Sequence, residues 1–430
     1  MSSQPAIVSQ PQTPQSNSMI ELKSHTTAEI VALGERYLTP NYRNAPVVFV
    51  DGHGPWGVTQ EGQTYLDFSA GVAVNALGHN HPDFVAALQM QVGKLLHQSN
   101  YWHNAHATPL AQLLCEQFAL ATGGAAAKAF FCNSGAEGTE AVVKCARRYH
   151  AKVLGKPRPD FITMQGSFHG RTYAAMTATA QAKYQAGFEP LVPGFHYAQF
   201  GDLNSIAALM TEQVGAVLIE IVQGEGGVNI AQPGFFKDLR QLCDERGVLL
   251  CLDEVQTGLG RTGTFYAFEQ EGIVPDLIWL AKALGGGIPI GALVGKGAVA
   301  DALVPGSHAT TFGANALATF AGRTVLAIFE RDGLVARARD VGAYLLAQLH
   351  RAFDGQSYVK AVRGRGLMCG VAIDGDPTKV VSAARAQGLL LSVAGADVLR
   401  LTPPLIVSEA DCDQAIALLR AAADQVLLPS

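Results

Sequence analysis

A lysine between an apolar run and three glycines is one residue of this sequence that could take part in chemistry. Lys282 has this position in LIWLAKALGGGIPIG, residues 277–291. Lysine is rarely buried without a partner, so the pattern allows a side chain that extends along the surface or an amine kept for reaction. This stretch alone does not decide between the two.

Two acidic residues directly follow another apolar run, in GVLLCLDEVQTG. At a strand end, Asp253 or Glu254 could hold a protonated ring nitrogen, but a metal-binding or structural pair fits equally well. The following GLGRTG, Gly258–Gly263, matches the dinucleotide fingerprint G-x-G-x-x-G. However, EVQT separates it from the strand, and Asp276 precedes the next strand instead of ending it, so a dinucleotide site is disfavoured.

A helix start after a third apolar run predicts an anion site, in AFFCNSGAEGTEAVVKCARRYH. Free N–H groups and the positive end of the helix dipole attract anions, and Gly135 and Ala136 allow close approach. The alternative is an ordinary helix capped by Asn133 or Ser134. The Walker pattern is absent, which disfavours a nucleoside triphosphate.

An aromatic residue and an arginine follow a fourth run, in FITMQGSFHGRTYAAM. Phe168 could stack on a planar cofactor, and Arg171 could bind a carboxylate through two hydrogen bonds. A core phenylalanine and a surface ion pair explain them equally well. His79 and His81 in GHNHPD lack further ligands at a recognisable spacing, so no metal site is predicted.

Together these stretches supply what pyridoxal phosphate needs: an amine for a Schiff base, a carboxylate for the ring nitrogen, an aromatic stack and a phosphate cradle. All four lie at strand ends of one predicted sheet, so the joint interpretation is stronger than any single part. In this interpretation, the glycines after Lys282 allow the backbone to approach the cofactor closely.

The elements that position these residues are strands alternating with helices. The strands KAFFC, DFITM, GAVLIEI, GVLLCLD and DLIWLA predict an α/β fold with a mainly parallel sheet and ligands outside the strands' carboxyl ends. We expect a flexible tail over 1–24 and a segment over 25–75 that packs with the smaller domain. The large domain is expected over 76–325 and a smaller α+β domain over 326–430.

Composition favours an enzyme of small molecules. The 430 residues carry a formal net charge of −5 without a long basic block, so neither a nucleic-acid nor an anionic-membrane surface is expected. Seven cysteines without a C-x-x-C pair indicate reduced thiols and a cytoplasmic location. No apolar run approaches the roughly 20 residues that a membrane span needs.

From about residue 28 almost to its end, the sequence resembles the class III, fold-type I aminotransferases. The motifs that carry the resemblance are YLDFSAGVAVNALGHNHP, KLLHQSNYWHN, FFCNSGAEGTEAVVKCAR, FHGRT, GEGGV, LDEVQTGLGRTG, AKALGGGIPIGA, TTFGANALA and LRLTPPL. The resemblance implies the fold-type I architecture, pyridoxal 5′-phosphate as cofactor and a ping-pong transfer of an amino group.

The resemblance also implies the cofactor contacts. Lys282 binds the cofactor covalently and later moves protons between the substrate carbon and cofactor atom C4′, while Asp253 keeps the pyridine nitrogen protonated. Gln256 contacts the ring hydroxyl and Phe168 covers the ring face. The remaining cofactor-binding residues are Glu254, Val255, Gly135, Ala136 and Thr311; Gly135 and Ala136 bind the phosphate, and Thr311 reaches the phosphate of the neighbouring subunit's cofactor, which implies a homodimer.

The implied reaction moves the δ-amino group of N2-acetyl-L-ornithine to 2-oxoglutarate, giving N-acetylglutamate 5-semialdehyde and L-glutamate, in arginine biosynthesis. Arg171 matches the residue that takes the α-carboxylate of the acylated amino acid, and Thr310 and Tyr42 match substrate contacts. We expect Glu225 to neutralise Arg400 in the first half-reaction and to release it for the dicarboxylate in the second.

Other substrates and functions remain open. Ornithine aminotransferases resemble the sequence nearly as closely but carry a tyrosine about where Gly71 lies, and a glycine leaves room for an acyl group. Succinylornithine, longer N-acetylated homologues and 4-aminobutyrate also fit, because one or two methylenes change binding by only about 1–3 kcal/mol. Rivals from other classes are a nicotinamide-dependent oxidoreductase built on GLGRTG and a non-catalytic sensor that binds the cofactor.

Overall fold

The structure is a computed structural model that describes residues 22–428. The tail predicted over 1–24 therefore lies outside the described residues except for its last three, which precede the first helix without regular structure.

The N-terminal part forms a small antiparallel sheet and the first helices. Its elements are α1 Thr27–Tyr37, β1 Phe49–His53, β2 Trp56–Thr59, β3 Thr64–Asp67, α2 Ala70–Ala73, α3 Pro82–Val92 and α4 Ala107–Ala121. Helix α1 begins at a capping box, in which Thr26 and Glu29 bind each other's backbone N–H groups. Segment α2 is a left-handed turn, since all four of its residues have φ between +48° and +66°.

The middle of the chain builds the central sheet. Its elements are β4 Ala127–Cys132, α5 Gly135–Arg148, a π-helical turn Tyr149–Val153, β5 Asp160–Met164, α6 Tyr173–Ala178, α7 Ala182–Gln185, β6 Phe195–Ala198, α8 Leu203–Leu209, β7 Val214–Glu220, β8 Val222–Gln223, β9 Asn229–Ile230, α9 Phe235–Arg246, β10 Leu249–Asp253, a 3-10 turn Ala267–Glu271, β11 Leu277–Leu280, a 3-10 turn Lys282–Gly285, β12 Gly291–Lys296 and α10 Gly297–Ala300.

The seven strands of this sheet have the order β4-β12-β11-β10-β7-β5-β6. Only β12 runs against its neighbours, so the mainly parallel α/β sheet predicted from the sequence is confirmed. Strands β7, β10 and β11 are buried along their whole length, which explains why their sequences are continuous apolar runs instead of alternating patterns.

The C-terminal part combines long helices with short strands. Its elements are α11 Ala316–Arg331, α12 Leu334–Phe353, β13 Val359–Arg365, β14 Met368–Ile373, α13 Pro377–Ala386, β15 Leu389–Leu390, β16 Ser392–Ala394, β17 Val398–Leu401 and α14 Glu409–Leu427. Strands β13, β14, β17 and β16 form an antiparallel sheet, and β15 extends the N-terminal sheet by pairing in parallel with β3.

The N-terminal strands and the C-terminal segment therefore share a sheet. The predicted domain limits stay predictions; position 325 lies inside α11, which passes through it without a break. Among the helices of residues 22–428, none is both long and apolar enough to cross a lipid bilayer.

Candidate active site

Most of the predicted site residues surround one cavity at the carboxyl ends of the central strands. The cavity has a volume of ≈ 450 Å³. The structure brings nine of the predicted residues to its wall: Gly135, Ala136, Phe168, Arg171, Glu225, Asp253, Val255, Gln256 and Lys282.

Lys282 opens the 3-10 turn after β11 and borders the cavity. Its φ of +45° is left-handed, an unusual conformation for a residue with a side chain and one that concentrates at functional sites. Gly286 ends the turn with φ +57°, where an added Cβ would lie 3.0 Å from Phe84 Cζ. Burial lowers the pKa of Lys282 to about 8, and the Arg400 charge acts in the same direction, so the uncharged amine is accessible near neutral pH.

Asp253 ends β10 at the cavity wall and is held from two sides. Its Oδ1 accepts a hydrogen bond from the Val255 N–H at 2.9 Å, and its Oδ2 lies 2.7 Å from Nδ1 of His169. The imidazole is buried beside Trp279, with ring centroids 5.8 Å apart, and its Nε2 has no hydrogen-bond partner among the described residues. The carboxylate is therefore fixed in orientation before any ligand binds.

A second carboxyl group, Glu220, stands beside Asp253 because β7 and β10 pair in register. Burial and then the neighbouring Asp253 charge raise the pKa of Glu220 well above its usual range. Its Oε2 accepts a hydrogen bond from the Phe168 N–H at 3.3 Å. A protonated Glu220 can donate into the cavity without adding a negative charge to it.

The start of α5 forms the anion-binding end of the cavity. The Ser134 hydroxyl caps the helix by accepting from the Glu137 N–H at 3.2 Å. The N–H groups of Gly135 and Ala136 have no acceptor within residues 22–428, as expected at a helix start, and both residues line the cavity. The helix capped by Ser134 is confirmed, and the same helix start still leaves two donors that face the cavity.

Phe168 and Arg171 lie on the loop after β5. The Arg171 guanidinium stacks on the Tyr184 ring at 3.9 Å and lies 5.4 Å from the Phe168 ring centroid. No carboxylate of the described chain forms an ion pair with Arg171, so the surface ion pair considered from the sequence is not found. Tyr184 holds this arginine over the cavity.

Glu225, Gln256 and Arg400 form a hydrogen-bonded group beside the cavity. Arg400 Nη1 donates to Glu225 Oε1 at 2.5 Å and to Gln256 Oε1 at 3.2 Å. Arg400 is only 2% exposed, and Glu225 stands between it and the cavity. Burial acts to raise the pKa of Glu225, but the positive charges of Arg400 and Lys282 hold it below the usual range, so this carboxyl group is ionised.

Five predicted residues do not line the cavity: Arg400, Glu254, Thr310, Thr311 and Tyr42. Thr310 is near it, because its hydroxyl accepts from Asn133 Nδ2 at 3.3 Å, next to the α5 cap. Thr311 is exposed, and Tyr42 is exposed by 77%. In the described chain neither of the two touches the group around Lys282.

The side chain of Glu254 points away from the cavity, contrary to its predicted cofactor contact. Its carboxylate accepts hydrogen bonds from the N–H groups of Ala267 and Phe268 at 3.0 and 2.9 Å and from the Thr257 hydroxyl at 3.1 Å. Consecutive side chains leave a strand on opposite faces, so Asp253 and Glu254 could not both face the cavity. Glu254 is the structural member of the pair.

The GLGRTG stretch is a buried loop and does not open a helix, which removes the structural basis for a dinucleotide site. His79 Nε2 lies 3.1 Å from Asp67, and residues 22–428 contain no group of three or more metal-binding side chains.

Gly71, the position considered for donor specificity, lines a neighbouring cavity and not the cavity of Lys282. Val74, just beyond α2, lines the cavity of Lys282.

Sequence reasoning missed His169, Glu220 and Tyr184. His169 was visible in FHGRT and Glu220 at the end of GAVLIEI, but nothing local to either stretch indicates a contact with Asp253. No sequence pattern around Tyr184 indicates a contact with Arg171.

The arrangement fits pyridoxal phosphate. Unpaired N–H groups at a helix start suit a phosphate, a fixed carboxylate suits a ring nitrogen, an aromatic ring borders the space between them, and a lysine of lowered pKa faces the same cavity.

Comparison with known proteins agrees with this geometry. Residues 37–423 match the family described as aminotransferase class-III. The chain is 45% identical to the acetylornithine aminotransferase of Aquifex aeolicus over 384 residues, which are 89% of this chain and 99% of that one. It is 46% identical to the acetylornithine aminotransferase of Gloeobacter violaceus, over 90% of this chain and 95% of that one.

Solved structures show the same architecture. An ornithine aminotransferase from Toxoplasma gondii, crystallised with partial occupancy of PLP at its active site, superimposes with a TM-score of 0.88 at 32% identity, over 93% of this chain and 95% of that one. The acetylornithine aminotransferase of Elizabethkingia anophelis gives a TM-score of 0.81 at 28% identity, over 93% and 99%.

Proposed function

This chain belongs to the class III aminotransferases, and from that premise we propose that it transfers the δ-amino group of N2-acetyl-L-ornithine to 2-oxoglutarate. The products are N-acetylglutamate 5-semialdehyde and L-glutamate, and the reaction is a step of arginine biosynthesis. The observation that carries the proposal is the single cavity in which Lys282, of lowered pKa, faces Asp253 and the start of α5. Relatives at 41–46% identity that bear the acetylornithine aminotransferase name support this donor.

The cofactor is pyridoxal phosphate, which when bound supplies an aldehyde that condenses with amines and a ring that accepts an electron pair from the substrate carbon. Gly135 and Ala136 would bind its phosphate, Asp253 would hold the proton on its ring nitrogen, and Phe168 would cover the ring face. Gln256 would contact the ring hydroxyl.

In the proposed reaction, Lys282 acts as both the general base and the general acid. Because burial lowers its pKa to about 8, on the order of a tenth of the amines are uncharged at pH 7 and can attack a carbonyl carbon. With the cofactor and substrate bound, the free Nζ would take a proton from the substrate carbon and deliver it to cofactor atom C4′. His169 keeps the Asp253 carboxylate in one orientation throughout.

The two substrates make different demands on the cavity. The donor carries one carboxylate, at its far end, and Arg171 is exposed and has no acidic partner in the described chain. The acceptor carries two carboxylates, and Arg400 can bind one of them only after Glu225 has moved away. With the 2.5 Å ion pair closed, the cavity matches the single carboxylate of the donor; with the pair open, Arg400 can bind the second carboxylate of the acceptor.

Steady-state kinetics test which compound is the amino donor. We expect kcat/KM with 2-oxoglutarate to be higher for acetylornithine than for ornithine, succinylornithine and 4-aminobutyrate, by about tenfold or more over ornithine. A higher value for any of the other three would replace acetylornithine as the donor. Lys282→Ala should abolish turnover and the cofactor's absorbance shift on adding the donor; a wild-type protein that binds the cofactor without turnover would instead be a sensor.

The proposal includes a homodimer in which Thr311 contacts the partner's cofactor. Large apolar side chains near Thr311 are exposed: Tyr101 by 90%, Trp102 by 67% and Phe312 by 62%. The segment that carries the first two lies on the Thr311 loop, because Asn100 Nδ2 donates to the Gly313 carbonyl at 2.9 Å. Apolar surface of this kind is typical of an interface. A cytoplasmic location completes the proposal, supported by seven free thiols.

The dimer is tested by mixing inactive variants. Lys282→Ala and Thr311→Val, refolded together, should regain activity, because one of the two sites in a mixed dimer then has both residues intact. Lys282→Ala with Asp253→Asn is the matched control and should stay inactive, because these two residues serve the same site. Failure of the first mixture to exceed its parents would contradict the role of Thr311.

A further inference from the structure

Arg261, at the centre of GLGRTG, is a buried cation without an acidic partner in the part of the chain that the structure describes. It is 2% exposed, and burial lowers its pKa to about 9. Its Nη1 donates to the carbonyl oxygens of Leu367, at 3.0 Å, and Pro403, while its Nη2 is buried without a partner. A buried charge left unpaired is costly and persists where the surrounding structure uses it.

The two carbonyl groups belong to the C-terminal antiparallel sheet. Leu367 lies in the turn between β13 and β14, and its N–H donates back to the Arg261 carbonyl at 2.9 Å. In the same turn, Gly366 packs so tightly that an added Cβ would lie 2.5 Å from the Thr262 carbonyl carbon. Pro403 follows β17, the strand that carries Arg400, by two residues. The loop is thus fastened to two neighbouring points at one end of this sheet, because the start of β14 pairs with the end of β17.

The same loop also begins at the active site. It leaves β10 at Asp253 and passes Gln256, which accepts a hydrogen bond from Arg400 at 3.2 Å. Within the loop, the Thr262 hydroxyl donates to the Thr257 carbonyl at 3.2 Å, which joins its active-site end to its Arg261 end. Arg400 is therefore tied to the Asp253 strand directly through Gln256 and indirectly through Arg261 and Pro403.

We propose that Arg261 is a positioning residue for the acceptor half-reaction: it holds the end of β17 against the loop after Asp253 and thereby sets where the Arg400 guanidinium stands. The inference rests on the proposed function, in which Arg400 binds a carboxylate of 2-oxoglutarate. The donor does not use Arg400, so loss of Arg261 should affect the two substrates unequally. A purely structural role would weaken both alike.

The experiment measures the dissociation constants of 2-oxoglutarate and acetylornithine in separate half-reactions, followed by cofactor absorbance. In Arg261→Met holoenzyme we expect the 2-oxoglutarate constant to rise about tenfold or more, since small displacements of binding groups have effects of this size, and the acetylornithine constant to change less than about threefold. Arg261→Lys keeps the charge and can reach one carbonyl, so it should restore part of the loss. If the Met variant does not fold, the Lys variant carries the same comparison.

Arg337→Met is the matched control. This arginine also donates to a carbonyl of the C-terminal segment, that of Val407 at 2.8 Å. Among the described residues it makes no hydrogen bond to the loop that carries Arg261, which α12 meets through Val335 and Arg339 instead. It should leave the 2-oxoglutarate constant unchanged. Equal changes for both substrates in the Arg261 variants, or an unchanged 2-oxoglutarate constant, would overturn the proposal. If the wild type rejects acetylornithine, the donor assignment fails. Arg261 is then still tested by comparing the dissociation constants of L-glutamate and 2-oxoglutarate with that of the donor that the wild type accepts.

Discussion

Replacing Glu225 by glutamine should have opposite effects on the two substrates. The carboxylate accepts from Arg400 at 2.5 Å in a nearly buried site. In the proposed function, 2-oxoglutarate binds the arginine only after this pair has opened. Glutamine keeps the shape and a hydrogen-bond acceptor but removes the charge.

The size of the effect follows from the hydrogen bond. A hydrogen bond to a charged group contributes about 1.5–3 kcal/mol, and a neutral hydrogen bond is roughly half as strong, so removing the carboxylate charge should weaken the competing pair by about 0.7–1.5 kcal/mol. This corresponds to roughly 3- to 12-fold tighter binding of 2-oxoglutarate. The donor should bind more weakly, because an uncompensated Arg400 repels its ammonium group.

The assay is a rapid-mixing measurement of each half-reaction, with the dissociation constant obtained from the dependence of rate on substrate concentration. Glu271→Gln is a matched control, because Glu271 forms a similar 2.5 Å pair with Arg365 outside the cavity. Weaker or unchanged binding of 2-oxoglutarate in Glu225→Gln would refute the idea that the pair opens for the acceptor.

The other predictions concern Asp253, Lys282 and Gly286. Asp253→Asn should lower kcat on the order of 10³-fold without a comparable change in the melting temperature, since the charge facing the ring nitrogen is lost; steady-state rates and calorimetry check this. The rate at which apoenzyme takes up pyridoxal phosphate should rise with pH towards a plateau above pH 8, because the pKa of Lys282 is lowered to about 8 and its uncharged form is reactive; a plateau only near pH 10 would contradict the assigned environment. Gly286→Ala should destabilise the protein by about 1–3 kcal/mol in denaturant titrations, and more than Gly333→Ala, because both have φ near +60° but only Gly286 has side chains within 3.0 Å of the added methyl group.

Sequence alone predicted the parts of the site that follow apolar runs. Asp253 and Lys282 stand at the ends of fully buried strands, and such strands are recognisable as continuous apolar segments that end in polar residues. The central sheet was predicted for the same reason. The antiparallel β12 was not, because its sequence GALVGK is short and has nothing that indicates its direction.

The sequence did not allow contacts between distant loops to be predicted. His169 and Asp253 are 84 residues apart, and only the folded sheet places the ring beside the carboxylate. The orientation of Glu254 depends on which face of β10 meets the cavity, which the apolar run does not reveal. The sequence disfavoured a dinucleotide site at GLGRTG but did not show what the stretch does. In the structure its glycines lie in a tight buried loop, and its arginine donates to carbonyl groups.

The pairing of β3 with β15 matters during synthesis on the ribosome. The sheet that begins at β1 stays open at one edge until residues near Leu390 have emerged, and the hydrogen bond from Thr402 to Ser69 spans 333 residues. At about 5–20 residues per second this leaves the edge uncovered for roughly 15–60 s. An open strand edge is a template for other chains, so nascent protein, and any truncation that ends before Leu389, should aggregate unless a chaperone shields it.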